Sequence, residues 1–159
     1  MHTIKLFTDA SVNPQIKVGF GAFLIVDENN NYNRVEVQQF TDTSSSKIEL
    51  ETLLFALKIA KIKTSIIEVY TDSQSVISLL ERRVKLEKNK FVTGKGTLLK
   101  NYELYQEFYQ LIDELNCKFI KVKGHKKSKE KDDVDRIFTL VDRASRKALR
   151  EFNSESCRR

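Results

Sequence analysis

The chain spells nearly the same phrase twice, as Ile4-Lys5-Leu6-Phe7-Thr8-Asp9-Ala10-Ser11 and again as Ile67-Glu68-Val69-Tyr70-Thr71-Asp72-Ser73-Gln74. Each is a β-branched and aromatic run that stops on Thr-Asp and a small residue, the pattern of a buried strand with a carboxylate at its C-terminal tip. If the two strands are parallel neighbours, Asp9 and Asp72 end side by side. Carboxylates held that close repel, and at least one pKa rises unless a cation sits between them. The chemistry this points to is a divalent-metal site. Asp also commonly begins a turn after a strand, an alternative that suits either residue alone better than it suits the doubled phrase.

Two more acids fall where they could join the pair. Glu49 lies in the first turn of an expected helix, its side chain directed back toward the helix N-terminus. Ser46-x-x-Glu49 also fits a capping box, in which Glu49 would accept from the Ser46 backbone N–H. Asp142 stands one turn after Phe138, at the edge of an apolar stripe. Its alternative is a surface i,i+4 pair with Arg146.

Stepping outward from these acids, the hydrophobic pattern supplies the elements that must carry them. Strands are expected at residues 4–8, 19–26 and 32–40, the last two joined by the turn signal Asp27-Glu28-Asn29-Asn30-Asn31. A helix from Ser46 to about Lys63 shows Leu50, Leu53, Leu54 and Leu57 at helical spacing. The second Thr-Asp strand follows, so the intervening crossover can set strands 1 and 4 parallel. A short helix is expected from Ser73 to about Arg83, then a helix over 102–115, a strand over 117–122 and a last helix over about 133–152. The order β-β-β-α-β-α-α-β-α predicts an α/β fold: a mixed five-stranded sheet, with strands 1–3 antiparallel and 1-4-5 parallel, and helices on both faces. Residues 1–152 are expected to form one domain, followed by a short polar tail over 153–159.

The 159 residues are 40% hydrophobic and 31% charged, with one Pro and five Gly, an ordinary globular composition without long linkers. No stretch approaches the roughly 18 uninterrupted apolar residues of a membrane span. Met1-His2-Thr3 leads into a strand rather than a signal peptide, and a cytoplasmic protein without membrane association is expected. Cys117 and Cys157 make neither a metal-ligand spacing nor a disulfide framework, and are read as reduced and structural. The net charge of +6 favours polyanionic partners. Arg82, Arg83, Lys85, Lys88, Lys90, Lys95 and Lys100 stand against Glu87 alone in one segment, and a second cluster runs Lys121, Lys123, Lys126, Lys127, Lys129, Lys131. Each is a plausible phosphate footprint, or a solvated surface loop.

Thr8-Asp9-Ala10-Ser11, Gly19-Phe20-Gly21-Ala22, Ile48-Glu49-Leu50 opening a helix, Thr71-Asp72-Ser73-Gln74, Lys123-Gly124-His125 and a late helical Asp together resemble the ribonuclease H type I family in order and approximate spacing, over nearly the whole chain. The resemblance implies a ribonuclease H-like fold and a two-metal phosphodiesterase. It maps the metal-holding roles onto Asp9, Glu49, Asp72 and Asp142, with two Mg²⁺ ions, or Mn²⁺ as substitute, at an all-oxygen site. His125 matches the family's mobile His, which moves a proton or helps product leave. The implied reaction is cleavage of the RNA strand of RNA/DNA hybrids, giving 5′-phosphate and 3′-hydroxyl ends. No protein partner is indicated, and a monomer is expected.

By the same resemblance, contacts to RNA 2′-hydroxyls fall around Ser11, Glu49, Gln74 and the segment Ser44-Ser45-Ser46. Asn101 matches an Asn that helps bind a DNA phosphate, with Ser44 as its partner, and Arg82, Arg83, Lys85 and Lys88 occupy the place of the family's basic protrusion. The chain departs from the family in several places. Ser44-Ser45-Ser46 replaces a frequent Thr-Asn-Asn, Asp42 stands where Arg is common, and with no Trp in the chain Phe91 is the aromatic available for the usual platform. The connection from His125 to Asp142 is long and carries Asp132, Asp133 and Asp135. Asp135 and Asp142, seven apart, share a helical face, and either can be the fourth ligand, with Asp142 preferred. Two rivals remain: a non-catalytic binding module on this fold, and a nuclease with another nucleic-acid substrate.

Overall fold

The computed structural model describes residues 2–61, 66–123 and 132–157. Five strands, β1 (Thr3–Asn13), β2 (Val18–Val26), β3 (Glu36–Phe40), β4 (Ile66–Thr71) and β5 (Cys117–Lys121), form one sheet in the order β3-β2-β1-β4-β5. β1 runs antiparallel to β2 and parallel to β4, and β4 is parallel to β5. The helices are α1 (Ser45–Ala60), α2 (Gln74–Lys88), α3 (Tyr102–Glu114) and α4 (Asp133–Cys157). No helix among the described residues is long and apolar enough to cross a membrane.

The central strands are apolar on both faces because both faces are covered. On one side Ile4, Leu6, Phe23, Val69 and Phe108 join Leu53 and Leu57 of α1 in a buried cluster. On the other, Phe7, Leu24, Val26 and Tyr70 pack against Phe138 and Val141 of α4, with Phe7 and Tyr70 stacked at 4.6 Å between ring centroids. Cys117 is half-buried, and burial pushes its thiol up to about 11, which keeps it protonated and unreactive.

Several boundaries differ from the sequence expectation. β1 is an eleven-residue strand rather than one ending at Thr8, because the hairpin partner β2 continues its ladder from Lys5↔Val26 to Asn13↔Val18. β3 starts at Glu36, not at Tyr32, since the Asp27 carboxylate accepts from the backbone N–H groups of Asn29 and Asn31 and holds the preceding loop in a turn. α2 runs a turn past Arg83 to Lys88 because Leu86 is buried beside Phe91. α4 continues through Cys157, so the expected tail is helical over 153–157.

Two glycines on β2 set how closely α1 approaches the sheet. A Cβ at Gly19 would lie 2.7 Å from the Ser11 carbonyl oxygen and would also strike Ile48 Cδ1; one at Gly21 would lie 2.7 Å from Cγ2 and 2.8 Å from Cβ of Thr52. Ile48 and Thr52 are one turn apart and bracket Glu49, so this close approach sets the height of Glu49 over the sheet. Gly21→Ala forces α1 outward and should cost about 1–3 kcal/mol as an overpacked core does. Thermal denaturation should show Tm lowered by several degrees, and an unchanged Tm would contradict the close approach.

Candidate active site

β1 and β4 pair from Thr3↔Ile66 to Phe7↔Tyr70. The same register, carried two residues further, sets Asp9 opposite Asp72. There the sheet divides: Asp72 leaves β4 for Ser73, the N-cap of α2, while β1 goes on beside β2 alone. Glu49 arrives from α1, on the face of the sheet that α2 and α3 also cover and opposite the face covered by α4. One carboxylate oxygen from each of Asp9, Glu49 and Asp72 lies within 4.8 Å of the others. Asp142 of α4 is in hydrogen-bond contact with Asp9, and its own oxygen also accepts from Arg146 Nε at 3.0 Å. The Arg146 pair is therefore real, yet it leaves Asp142 facing Asp9.

Glu49 does not cap α1. Ser44, two residues upstream of Ser46, is the N-cap, with its Oγ accepting from Lys47 N–H at 3.3 Å. Asp135 does serve a cap: its backbone N–H donates to Asp132 Oδ1 at 2.9 Å and its Oδ2 accepts from Asp132 N–H at 3.3 Å. Asp135 is buried at the start of α4, two turns from Asp142, and the structure brings Asp142 to Asp9.

Burial, the Asp142 hydrogen bond and the Asp72 charge push the Asp9 carboxyl up to about 8. A hydrogen bond between two carboxyl groups needs a proton on one of them, in keeping with a protonated Asp9. Burial also raises Glu49, and the Asp72 charge adds to the rise, while a hydrogen bond from the Ser73 hydroxyl opposes it. Ser73, unflagged by the sequence reading, is 5% exposed, and its Oγ also accepts from Val76 N–H at 3.2 Å. One side chain thus joins the start of α2 to Glu49. A small residue directly after Thr-Asp, heading a helix, is the sequence signal that could have found it.

The residues expected to meet nucleic acid divide. Ser45, Ser46 and Gln74 are exposed, and Gln74 Oε1 accepts from Lys121 Nζ. Arg82, Lys85 and Lys88 are exposed on α2, and Asn101 heads α3 without spending its side chain on the cap. Ser11 Oγ is engaged by the fully buried Ser145 Oγ of α4 at 3.0 Å. Arg83 is a clamp rather than a free cation: it donates to both Asp113 oxygens at 2.7 and 2.6 Å and to Glu87 at 2.7 Å, over the Tyr109 ring. Phe91 is 8% exposed and packs near Tyr109, so it offers no platform for a base. Asp42 is exposed with φ 50°, and Lys47 Nζ donates to its carbonyl oxygen at 3.1 Å, which sets a cation beside that acid. His125 and the lysines from 126 to 131 lie outside the described residues.

The raised Asp9 carboxyl carries a sign. Between about pH 4 and pH 8 the folded, metal-free protein holds a proton that the unfolded chain, at 3.8, has released. Stability therefore falls as pH rises through that window. Without metal, Asp9→Asn should raise Tm relative to the parent at pH 8 and change it little near pH 4. A divalent cation held by the cluster should reverse the order, because a ligand held only by the folded state stabilises by about 2.7 kcal/mol at 100 times its Kd. A variant that is less stable than the parent at pH 8 in chelator would contradict this reading.

Comparison with known proteins agrees with the geometry. Residues 1–143 match the sequence model of the RNase H family. The ribonuclease H of Clostridium botulinum strain Hall is 30% identical over 157 residues, covering 96% of this chain and 99% of that protein. Among solved structures, the RNase H1 of Halobacterium salinarum superposes with a TM-score of 0.65 at 13% identity, covering 94% of this chain and 98% of that one. A foamy viral protease–reverse transcriptase in complex with an RNA/DNA hybrid superposes with a TM-score of 0.62 at 15% identity, covering 91% of this chain and 20% of that one. A family match over most of the chain, a near full-length relative and the same sheet topology agree: the chain belongs to the ribonuclease H family of nucleases.

Proposed function

We propose that the chain is a divalent-metal-dependent endonuclease that cuts the RNA strand of RNA/DNA hybrids, leaving 5′-phosphate and 3′-hydroxyl ends. The observation that carries this is the carboxylate cluster at the division of the sheet: three acids with one oxygen each within 4.8 Å of the others, a fourth bonded to one of them, and a central acid whose carboxyl is pushed up to about 8. All the donors are carboxylate oxygens, which suits hard cations, Mg²⁺ with Mn²⁺ as substitute. Asp9, in contact with Asp142 and facing the Asp72 charge, would be the central ligand of such a site. A bound pair of such ions supplies a lowered pKa for the attacking water and charge stabilisation for the phosphate and the departing 3′ oxygen.

The chain's own residues hold and aim. Ser73 orients Glu49, the β1–β4 register fixes Asp9 against Asp72, and Asp142 is held in place by Arg146 and by the packing of Val141 beneath it. All four acids come from one chain, so the reading requires no second subunit. The hybrid assignment is supported by the foamy viral structure that carries one and by the exposed serine hydroxyls at 45 and 46, which can reach sugar and phosphate. His125 is assigned the proton-moving role on its motif alone.

The direct test is cleavage of labelled RNA/DNA, RNA/RNA and DNA/DNA duplexes of one sequence with Mg²⁺, Mn²⁺ or chelator. Metal-dependent cutting of the RNA in the hybrid alone is the expected result; preference for another duplex would replace the substrate assignment, and binding without cutting would favour a non-catalytic module. Asp142→Asn should lower the rate by about 100-fold or more, as losing a central charge-stabilising group does. Asp135→Asn should keep activity and, because the amide oxygen can still accept from Asp132 N–H, change stability by less than about 1 kcal/mol. The opposite pattern would make Asp135 the fourth ligand.

A further inference from the structure

We infer that the outer face of α4 is a second track for the phosphodiester backbone, separate from the basic segments after Arg82 and after Lys121. Arg143, Lys147 and Arg150 occupy positions i, i+4 and i+7, and so share one face of the helix. All three are exposed, while Val141 and Ser145 on the opposite face are fully buried against the sheet. Among the described residues Arg143 and Arg150 take part in no ion pair, and Lys147 reaches Glu151 only at 3.9 Å. Solvated cations in a row are common on helices, so charge alone would decide little.

Two observations give the row a direction. It begins at the residue after Asp142, and Arg146, between the row and the carboxylates on the helix surface, is already tied to Asp142. The helix that carries the row is also anchored along its length: Asp142 meets Asp9, Ser145 meets Ser11 at 3.0 Å, Phe152 packs on Phe20 at 5.7 Å and Asn153 accepts from Asn13 at 3.3 Å. α4 therefore follows β1 outward from the cleft as an anchored rod, and the backbone positions that carry the cations are fixed before any ligand arrives. From Arg143 to Arg150 the row spans about 10 Å at 1.5 Å per residue. A strand whose scissile phosphate lies over Asp9 can continue along it. The last part of this helix also lies beyond residue 143, where the family match ends.

The inference rests on the nuclease reading, and the test separates the two. Binding of an RNA/DNA hybrid of about 18 base pairs, some 60 Å at 3.4 Å per step, is measured with Ca²⁺ in place of Mg²⁺ across a range of salt. Arg143→Ala/Arg150→Ala is compared with the parent and with Arg34→Ala/Lys118→Ala, which removes the same charge from exposed sites on other elements. The expected result is a plot of log K against log salt that is shallower by about 2 for the α4 variant, from roughly 0.9 per lost phosphate contact, and nearly unchanged for the control. Equal slopes for the α4 variant and the parent would overturn the inference, as would equal losses in both double variants. A parent that binds no hybrid overturns the nuclease reading, and the inference with it. If the α4 variant loses affinity for poly-glutamate but not for the hybrid, the face serves an acidic protein instead, which also overturns it.

Discussion

The mutual repulsion of carboxylates at the division of the sheet is the constraint around which the other features are arranged. Asp9 and Asp72 are set opposite each other by a parallel register that neither residue controls; it is dictated by the buried runs ending in Phe7 and Tyr70, whose rings stack at 4.6 Å. Glu49 and Asp142 then close on the pair from α1 on one side and α4 on the other. Without a cation the gathered carboxylates repel, and burial, the Asp142 hydrogen bond and the Asp72 charge together push the Asp9 carboxyl up to about 8. The two apolar cores, one on each face, hold the acids together against that repulsion.

Precision at the site comes from backbone and packing. Gly19 and Gly21 remove the two side chains that would keep α1 away from β2, and α1 carries Glu49 between the residues that fill the vacated space. β4 stops at Thr71 while β1 continues, so the cluster lies where β1 loses its β4 neighbour. Ser73 links these parts by heading α2 and bonding Glu49. On the far side of the cleft, α4 brings both an acid inward and a row of cations outward, so on the proposed reading one helix would serve metal and phosphate together.

Much of this was legible in the chain. The doubled Thr-Asp phrase implied the parallel pair because strand tips are local features, and the element order followed from periodicity that burial on two faces enforces. What the chain hid depended on long-range partners. Ser46-x-x-Glu49 satisfies a capping pattern, but Ser44 takes the cap, a competition between three adjacent serines that pattern alone cannot settle. Arg83 reads as one cation among several; only the docking of α3 brings Asp113 to it. Phe91 reads as an available aromatic and is instead folded under the end of α2. Asp135 and Asp142 share a helical face, and their roles diverge because Asp132 waits at the helix start while Asp9 waits two turns later. Lys123 is the last described residue before His125, so the proton-moving assignment stands on motif alone.

The central claim is that the four acids exist to hold a pair of divalent cations. The most direct measurement is an anomalous-scattering map of the protein crystallised with Mn²⁺ and a short, non-cleavable RNA/DNA hybrid. The account predicts two manganese peaks, with Asp9 between them and Glu49, Asp72 and Asp142 completing their oxygen shells. Manganese held elsewhere, or a cluster that stays metal-free with the hybrid seated over it, would contradict it.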